Sequence, residues 1–272
     1  MTLSNKMKTY FFIFFIFCSF FLKAQFVIPQ EEKKDSSFTI PLITVSYARQ
    51  WSAADLANRF GFNNNIGGSF AIKTKKQWYF GFKGNFIWGG NVKQNDILDD
   101  ITSKKYILDN DGTFLKEEIL ATSDDGSKVE IFLDERGSSF FLIAGKLFNV
   151  IAPNKNSGIL VYGGLGTLHH KISIKYQGSV PALNGELKKG YDRFSFGYAV
   201  NGFLGYLYMS KNRLVNFYGG FDYTQGRTKS MRKYNYDTQE FDNKTNTDIL
   251  YGVRLGWIIR LNKRKTQEFY YN

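Results

Sequence analysis

The residue types that could act together in hydrolysis, a hydroxyl nucleophile, an imidazole base and an orienting carboxylate, occur here as Ser195, His169 and Asp222. His169 and His170 are the only histidines. A curved wall gathers these three no better than any other three side chains, so the sequence assigns no catalytic residue. It shows no spacing of ligands that would hold a metal and no motif that would hold a cofactor. The one cysteine, Cys18, lies in an N-terminal apolar run, which leaves the chain after that run without thiolate chemistry or disulfides.

The elements that must position such groups are strands. From Ile249, the alternate residues Tyr251, Val253, Leu255, Trp257, Ile259 and Leu261 are large and apolar, with Gly252, Arg254, Gly256 and Arg260 between them. Successive strand side chains point to opposite faces, so one face is oily while the other carries glycine and arginine. The same code recurs in Phe194–Tyr208, Trp78–Trp88 and Val215–Tyr223, and more weakly near Ile43–Trp51, Ile66–Lys73, Phe141–Leu147 and Leu160–Ile174. A soluble sheet would bury the oily face under a second layer, whereas a membrane barrel turns it to lipid and keeps the polar face inside. The expected fold is all-β: a transmembrane, antiparallel, up-and-down barrel of about eight strands.

Trp78 and Trp88 fit that geometry. Ten residues at about 3.3 Å each, tilted by about 40°, rise roughly 25 Å, the height of an apolar band between two aromatic girdles. Tyr206, Tyr208, Tyr223 and Tyr251 are expected in the same girdles. Connections also alternate in length: tight at Thr74–Gln77 and Ser210–Arg213, modest around Phe148–Gly158, and long at Ser52–Asn63, Gly90–Gly137, Gln177–Gly190 and Thr228–Asn246. Short periplasmic turns and long external loops orient such barrels with both termini in the periplasm. Within 90–137, Asn110-Asp111-Gly112 and Asp124-Asp125-Gly126 read as hairpin turns, predicting an extracellular β-hairpin insertion.

On this frame Arg49, Lys73, Lys83, Lys146, Arg193, Arg254 and Arg260 are expected to face the lumen, with Asp222 as the acidic counterpart and His169 near the outer end. Consecutive antiparallel strands place Asp222 near Arg254. The excess of cations reads either as a hydrated polar core with ion pairs or as an anion pathway. Outside, the insertion is acidic from Asp96 to Asp125, while the last loop carries Arg227, Lys229, Arg232 and Lys233. Those four are either solvated and paired with other loops or hold the phosphates of lipopolysaccharide.

Lys6 and Lys8 precede an apolar run from Tyr10 to Leu22 and then Lys23-Ala24-Gln25, which reads as an export signal over 1–24. The run is too short for a spanning helix, which needs about 20 apolar residues. The expected organisation is then a periplasmic segment at 25–37, the barrel at 38–262 and a periplasmic tail at 263–272. Nucleic acid is not an expected partner, although the net charge is +12. Lys6, Lys8 and Lys23 leave with the signal, and export separates the chain from DNA.

Several segments resemble a known group: Asp134-Glu135-Arg136-Gly137, Asn156-Ser157-Gly158, Lys189-Gly190-Tyr191-Asp192-Arg193, and Asp248 to Trp257. They are similar to small outer-membrane barrels, of the general OmpA/OmpX shape, in bacteria that carry type IX secretion. The resemblance implies a partner-binding subunit or adaptor, such as a PorG-type barrel of the secretion machinery or an accessory barrel of outer-membrane protein assembly. Other outer-membrane proteins are the partners it implies, beside the lipid that the apolar wall would meet and the lipopolysaccharide that the basic loop could hold. The readings kept beside it are a small channel or carrier with a cationic lumen and, third, a barrel enzyme acting on lipid or peptide.

Overall fold

The computed structural model describes residues 37–94, 96–109, 114–210, 215–232 and 234–261. The expected export signal over 1–24, residues 25–36, the whole turn at Asn110-Asp111-Gly112, residues 211–213 of the last short turn, Lys233 and the expected tail at 263–272 lie outside them.

Eight strands form one antiparallel ring: β1 (Ile40–Ala54), β2 (Phe62–Lys73), β3 (Trp78–Gly89), β6 (Lys128–Phe148), β7 (Gly158–Tyr176), β8 (Ser195–Met209), β9 (Asn216–Ser230) and β12 (Thr245–Arg260). Neighbours in sequence pair in space, β1 meets β12, and β3 meets β6 across the insertion. The ring has no free edge, so every wall strand is paired on both sides. One end carries the short turns, and the long connections gather at the other.

Alternation sets the two faces. In β1 the even positions from Ile40 to Gln50 are buried, whereas Ile43, Val45, Tyr47 and Trp51 stand exposed on the outside. All around the ring the outward positions between the two rims are mainly apolar, including Phe80, Phe82, Leu142, Leu165, Val200, Phe221 and Leu255. Trp78, Tyr206 and Tyr208 mark the belt's short-turn rim with Trp257. At the other rim Tyr223, Tyr251, Trp51 and Phe62 sit opposite one another on four successive strands, with Trp88 against Tyr47. Water would not tolerate so continuous an oily band, and the chain is a transmembrane barrel. No helix among the described residues is long and apolar enough to cross a membrane; the crossing is made by strands.

Closing so few strands bends each sharply, and inward glycines supply the room. A Cβ on Gly166 would sit 1.8 Å from the Phe140 carbonyl oxygen, and one on Gly252 would sit 2.0 Å from that of Arg49.

The insertion is a hairpin stitched to the wall. Its strands β4 (Thr102–Leu108) and β5 (Phe114–Thr122) pair with each other, and β5 then pairs with the start of β6. The turn at Asp124-Asp125-Gly126 joins β5 to β6, with Gly126 at φ +82° and the Asp125 carboxylate accepting from the Ser127 N–H at 2.9 Å. β6 begins at Lys128, so the outer part of this wall strand lies inside the span expected to be the hairpin insertion, and β6 and β7 run on together past the barrel rim. Their outer halves alternate less cleanly because they border loops instead of lipid. With β10 (Tyr234–Asn235) paired to β11 (Glu240–Phe241), the last loop holds a second, minimal hairpin.

Candidate functional site

The lumen is filled in layers. At mid-height Asp222, Lys83 and Arg254 meet, each no more than 2 % exposed. Arg254 Nε and Nη2 donate to Asp222 Oδ2 at 3.0 and 2.7 Å, and Lys83 Nζ donates to Oδ1 at 3.1 Å. The remaining donors are taken up as burial requires. Arg254 reaches the Ser46 hydroxyl at 2.9 Å and Asn65 Oδ1 at 3.2 Å, while Lys83 reaches Asn201 Oδ1 at 2.8 Å. Asn201 Nδ2 in turn donates to Asp222 Oδ1 at 3.1 Å. Two cations thus share one carboxylate, with amide and hydroxyl dipoles completing their shells.

Toward the short-turn end an aromatic block follows. Tyr79 stacks on Tyr162 with centroids 6.0 Å apart, Tyr162 on Phe203 at 4.9 Å, and Phe203 meets Tyr218 edge-on at 5.5 Å. Buried Leu42, Leu147, Leu160, Leu207 and Ile258 lie beyond it. Lys73 is inward at this end and donates to Gln77 Oε1 at 3.1 Å, and Arg260 donates to the Ser210 carbonyl at 2.8 Å.

Toward the long-loop end, buried His170 and Asp248 join through Nε2 and Oδ2 at 2.8 Å. Thr228 donates to the same carboxylate, and Asn63 donates to Glu135 at 3.3 Å. The β1–β2 connection dips into this mouth: Phe60 lies edge-on to His170 at 5.8 Å, and Arg59 donates to the Ser195 hydroxyl at 2.9 Å. Leu56, Ile97, Leu98, Val180, Leu183 and Tyr191, all buried, close it over. Among the described residues no three His, Cys, Asp or Glu side chains converge as a metal site would need.

Four expected inward residues lie elsewhere. Arg49 shares parity with Val45 and Tyr47, so it is on the outer wall, 3.9 Å from the centre of the Phe62 ring and donating to Asn64 at 2.8 Å. Lys146 is also outward, 5.4 Å from the Trp78 ring centre. Both sit at a rim, where a long cation on the oily face can reach the membrane interface. Arg193 belongs to the connection before β8 and pairs with Asp237. His169 is outward against Ser138 and Phe194, and its neighbour His170 takes the inward place. Ser195, Asp222 and His169 are thereby separated: one at the mouth, one at mid-lumen and one outside. The missed residues were His170, Asp248 and Glu135; strict parity along β12, where Asp248 is in phase with Arg254, was the available signal.

The basic group of the last loop divides. Arg227 and Lys229 are exposed on the outer wall just beyond Tyr223. Arg232 is engaged: Nε and Nη2 donate to the two oxygens of Asp192, both at 2.8 Å, and that carboxylate raises the guanidinium above its ordinary pKa.

No family model matches the sequence, and no curated protein does. Among solved structures, the chain is similar in fold to the attachment invasion locus protein Ail of Yersinia pestis, with 11% identity over 82% of this chain and 99% of that one and a TM-score of 0.37. Neisserial surface protein A gives 13% identity over 81% and 97%, with a TM-score of 0.38. The outer membrane protein OprG of Pseudomonas aeruginosa gives 13% over 82% and 97%, with a TM-score of 0.31.

Proposed function

We propose that the chain is a non-catalytic barrel of a bacterial outer membrane that serves as a subunit or adaptor, holding an external sheet against other outer-membrane proteins. The observation that carries this reading is a lumen packed at both ends beneath a wall whose strands continue outward as β4–β7. An interior filled by buried side chains among the described residues weighs against a channel or carrier. The separation of His169, Asp222 and Ser195 weighs against the barrel enzyme. The long connections are the external ones and both termini are periplasmic, as the lengths of turns and loops in such barrels imply. The sequence resemblance supplies the class of partner: secretion or outer-membrane protein assembly.

The test replaces residues 99–122, which carry β4 and β5, with a short flexible link and leaves β6 whole. The barrel should still fold and shift on gels when unheated, while proteins that co-purify with the full chain in mild detergent are lost. Retention of those partners, or a steady conductance of the intact barrel in planar bilayers, would overturn the reading.

A second reading rests on Arg227 and Lys229. Outward cations immediately beyond an aromatic row are placed to hold phosphates of lipopolysaccharide in the external leaflet.

A further inference from the structure

The mouth at the long-loop end holds a carboxylate with no counter-ion among the described residues. Glu135 is 1 % exposed; its Oε1 accepts from Asn63 at 3.3 Å, while Oε2 is buried without a partner. The other charged groups around the mouth are engaged elsewhere. His170 and Asp248 hold each other, and Arg59 donates to Ser195. Arg193 pairs with Asp237, Arg232 with Asp192, and Lys244 stands 3.8 Å from Asp55. A carboxyl group withdrawn from water with no cation beside it keeps its proton in preference to its charge. Glu135 lies past the rim, one residue beyond Arg136, which faces Trp88. Burial pushes its pKa up to about 7, against the Asn63 hydrogen bond and with help from the Asp248 charge.

The β1–β2 connection is seated on these same groups. Asp55 accepts from the Thr247 N–H at 2.8 Å, beside Asp248, and Phe60 lies edge-on to His170. Asn63, two residues past Gly61, is the donor to Glu135. At the start of the segment Ala54 holds φ +54° and ψ −138°, a conformation strained for any residue but glycine. The connection is therefore held down against its own backbone. We propose that the proton on Glu135 latches this connection into the mouth, and that its loss as the surroundings turn alkaline lets the connection lift. With the proton on, Glu135 is neutral and suits a closed mouth. With the proton off, the charge is best served by water, which enters only as Leu56 and Phe60 leave. The folded pKa stands above the ordinary one, so closure is fully supported below about pH 4.5 and is lost as pH rises through about 7. The layers around Asp222 and Tyr162 lie beneath, so the change opens a cup and not a pore. The inference rests on the closed mouth and is independent of the adaptor role.

The experiment follows amide hydrogen exchange in the full barrel reconstituted in lipid, at about pH 6 and about pH 8, corrected for the chemical exchange rate. The amides of Phe60 and Gly61 are hydrogen-bonded to Leu56 and Asn91, so the peptide covering 55–61 reports the latch. Its protection should fall severalfold from the acid to the alkaline condition, while the peptide around Arg254 stays unchanged. Glu135→Gln, neutral at every pH and able to keep the Asn63 hydrogen bond, should remain protected at both. Should that variant fail to insert, infrared spectra of the wild-type barrel decide: the carbonyl band of a buried carboxylic acid must fade over the same interval. An unresponsive wild-type peptide, a response that survives Glu135→Gln, or the absence of that band would overturn the proposal.

Discussion

Arg254 lies diagonally across from Asp222 on neighbouring strands and closes on a single oxygen of its carboxylate, leaving the other oxygen to Lys83. The arrangement is lopsided, with one acid serving two buried cations. Asp222→Asn should therefore cost more than loss of either partner, about 3–5 kcal/mol as for other broken buried pairs. Arg254→Met or Lys83→Met leaves a one-to-one pair and should cost less. Changing all three should recover stability beyond the sum of single effects. Urea titration of the folded, gel-shifted fraction in lipid measures this. Equal single costs that add would show that the three side chains act separately.

Glycines of the wall should divide by face. Gly166→Ala forces a methyl into the Phe140 carbonyl and should destabilise by about 1–3 kcal/mol or block closure. Gly202→Ala points into open space and should be neutral or mildly stabilising. The same titration reads both, and a tolerated Gly166→Ala would contradict the close approach.

The outward placement of Arg49 and Lys146 is open to spin labelling, because the sequence after Cys18 contains no other cysteine. Nitroxides on Arg49→Cys and Lys146→Cys should be mobile and quenched by lipid-dissolved oxygen. A label on Lys83→Cys, if the barrel accepts it, should be immobile. An immobile, oxygen-shielded label at 49 would return that residue to the lumen.

Arg227 and Lys229 should matter in proportion to the charge of the lipid they face. Their joint replacement by glutamine should weaken association with lipopolysaccharide-bearing vesicles by about 1 kcal/mol per cation at low salt, and by less as salt screens the contact. Arg232→Gln should instead act on the fold of the long connections, through Asp192. Identical salt-dependent losses for all three would place Arg232 among the lipid contacts.

What could be read in the sequence was whatever strict alternation controls. Asp222 and Arg254 each fall between large outward apolar residues, Phe221 and Tyr223 for one and Val253 and Leu255 for the other, and their neighbourhood followed from strand order. Arg49 and Lys146 went astray where charge was allowed to outweigh parity: near a rim, the oily face accepts long cations. His169 and His170 show a different limit. They are adjacent, and β7's outward face near the mouth carries Thr167 and His169 instead of large apolar residues, so the phase is blurred. The pairing of β3 with β6, and of β5 with the outer part of β6, depends on contacts across the insertion that no local pattern encodes.

The unbroken β6–β7 ladder, from Ile131 opposite Tyr176 to Phe148 opposite Ile159, has a mechanical meaning. A tug on the β4–β5 hairpin along the membrane normal is transmitted down two strands that share one continuous set of cross-links. Those hydrogen bonds run across the direction of pull and are loaded in shear, many at once, instead of being peeled one by one. The hairpin is thereby tethered as a handle is to a keel, and a load applied to it would pull against the whole barrel before parting a single strand.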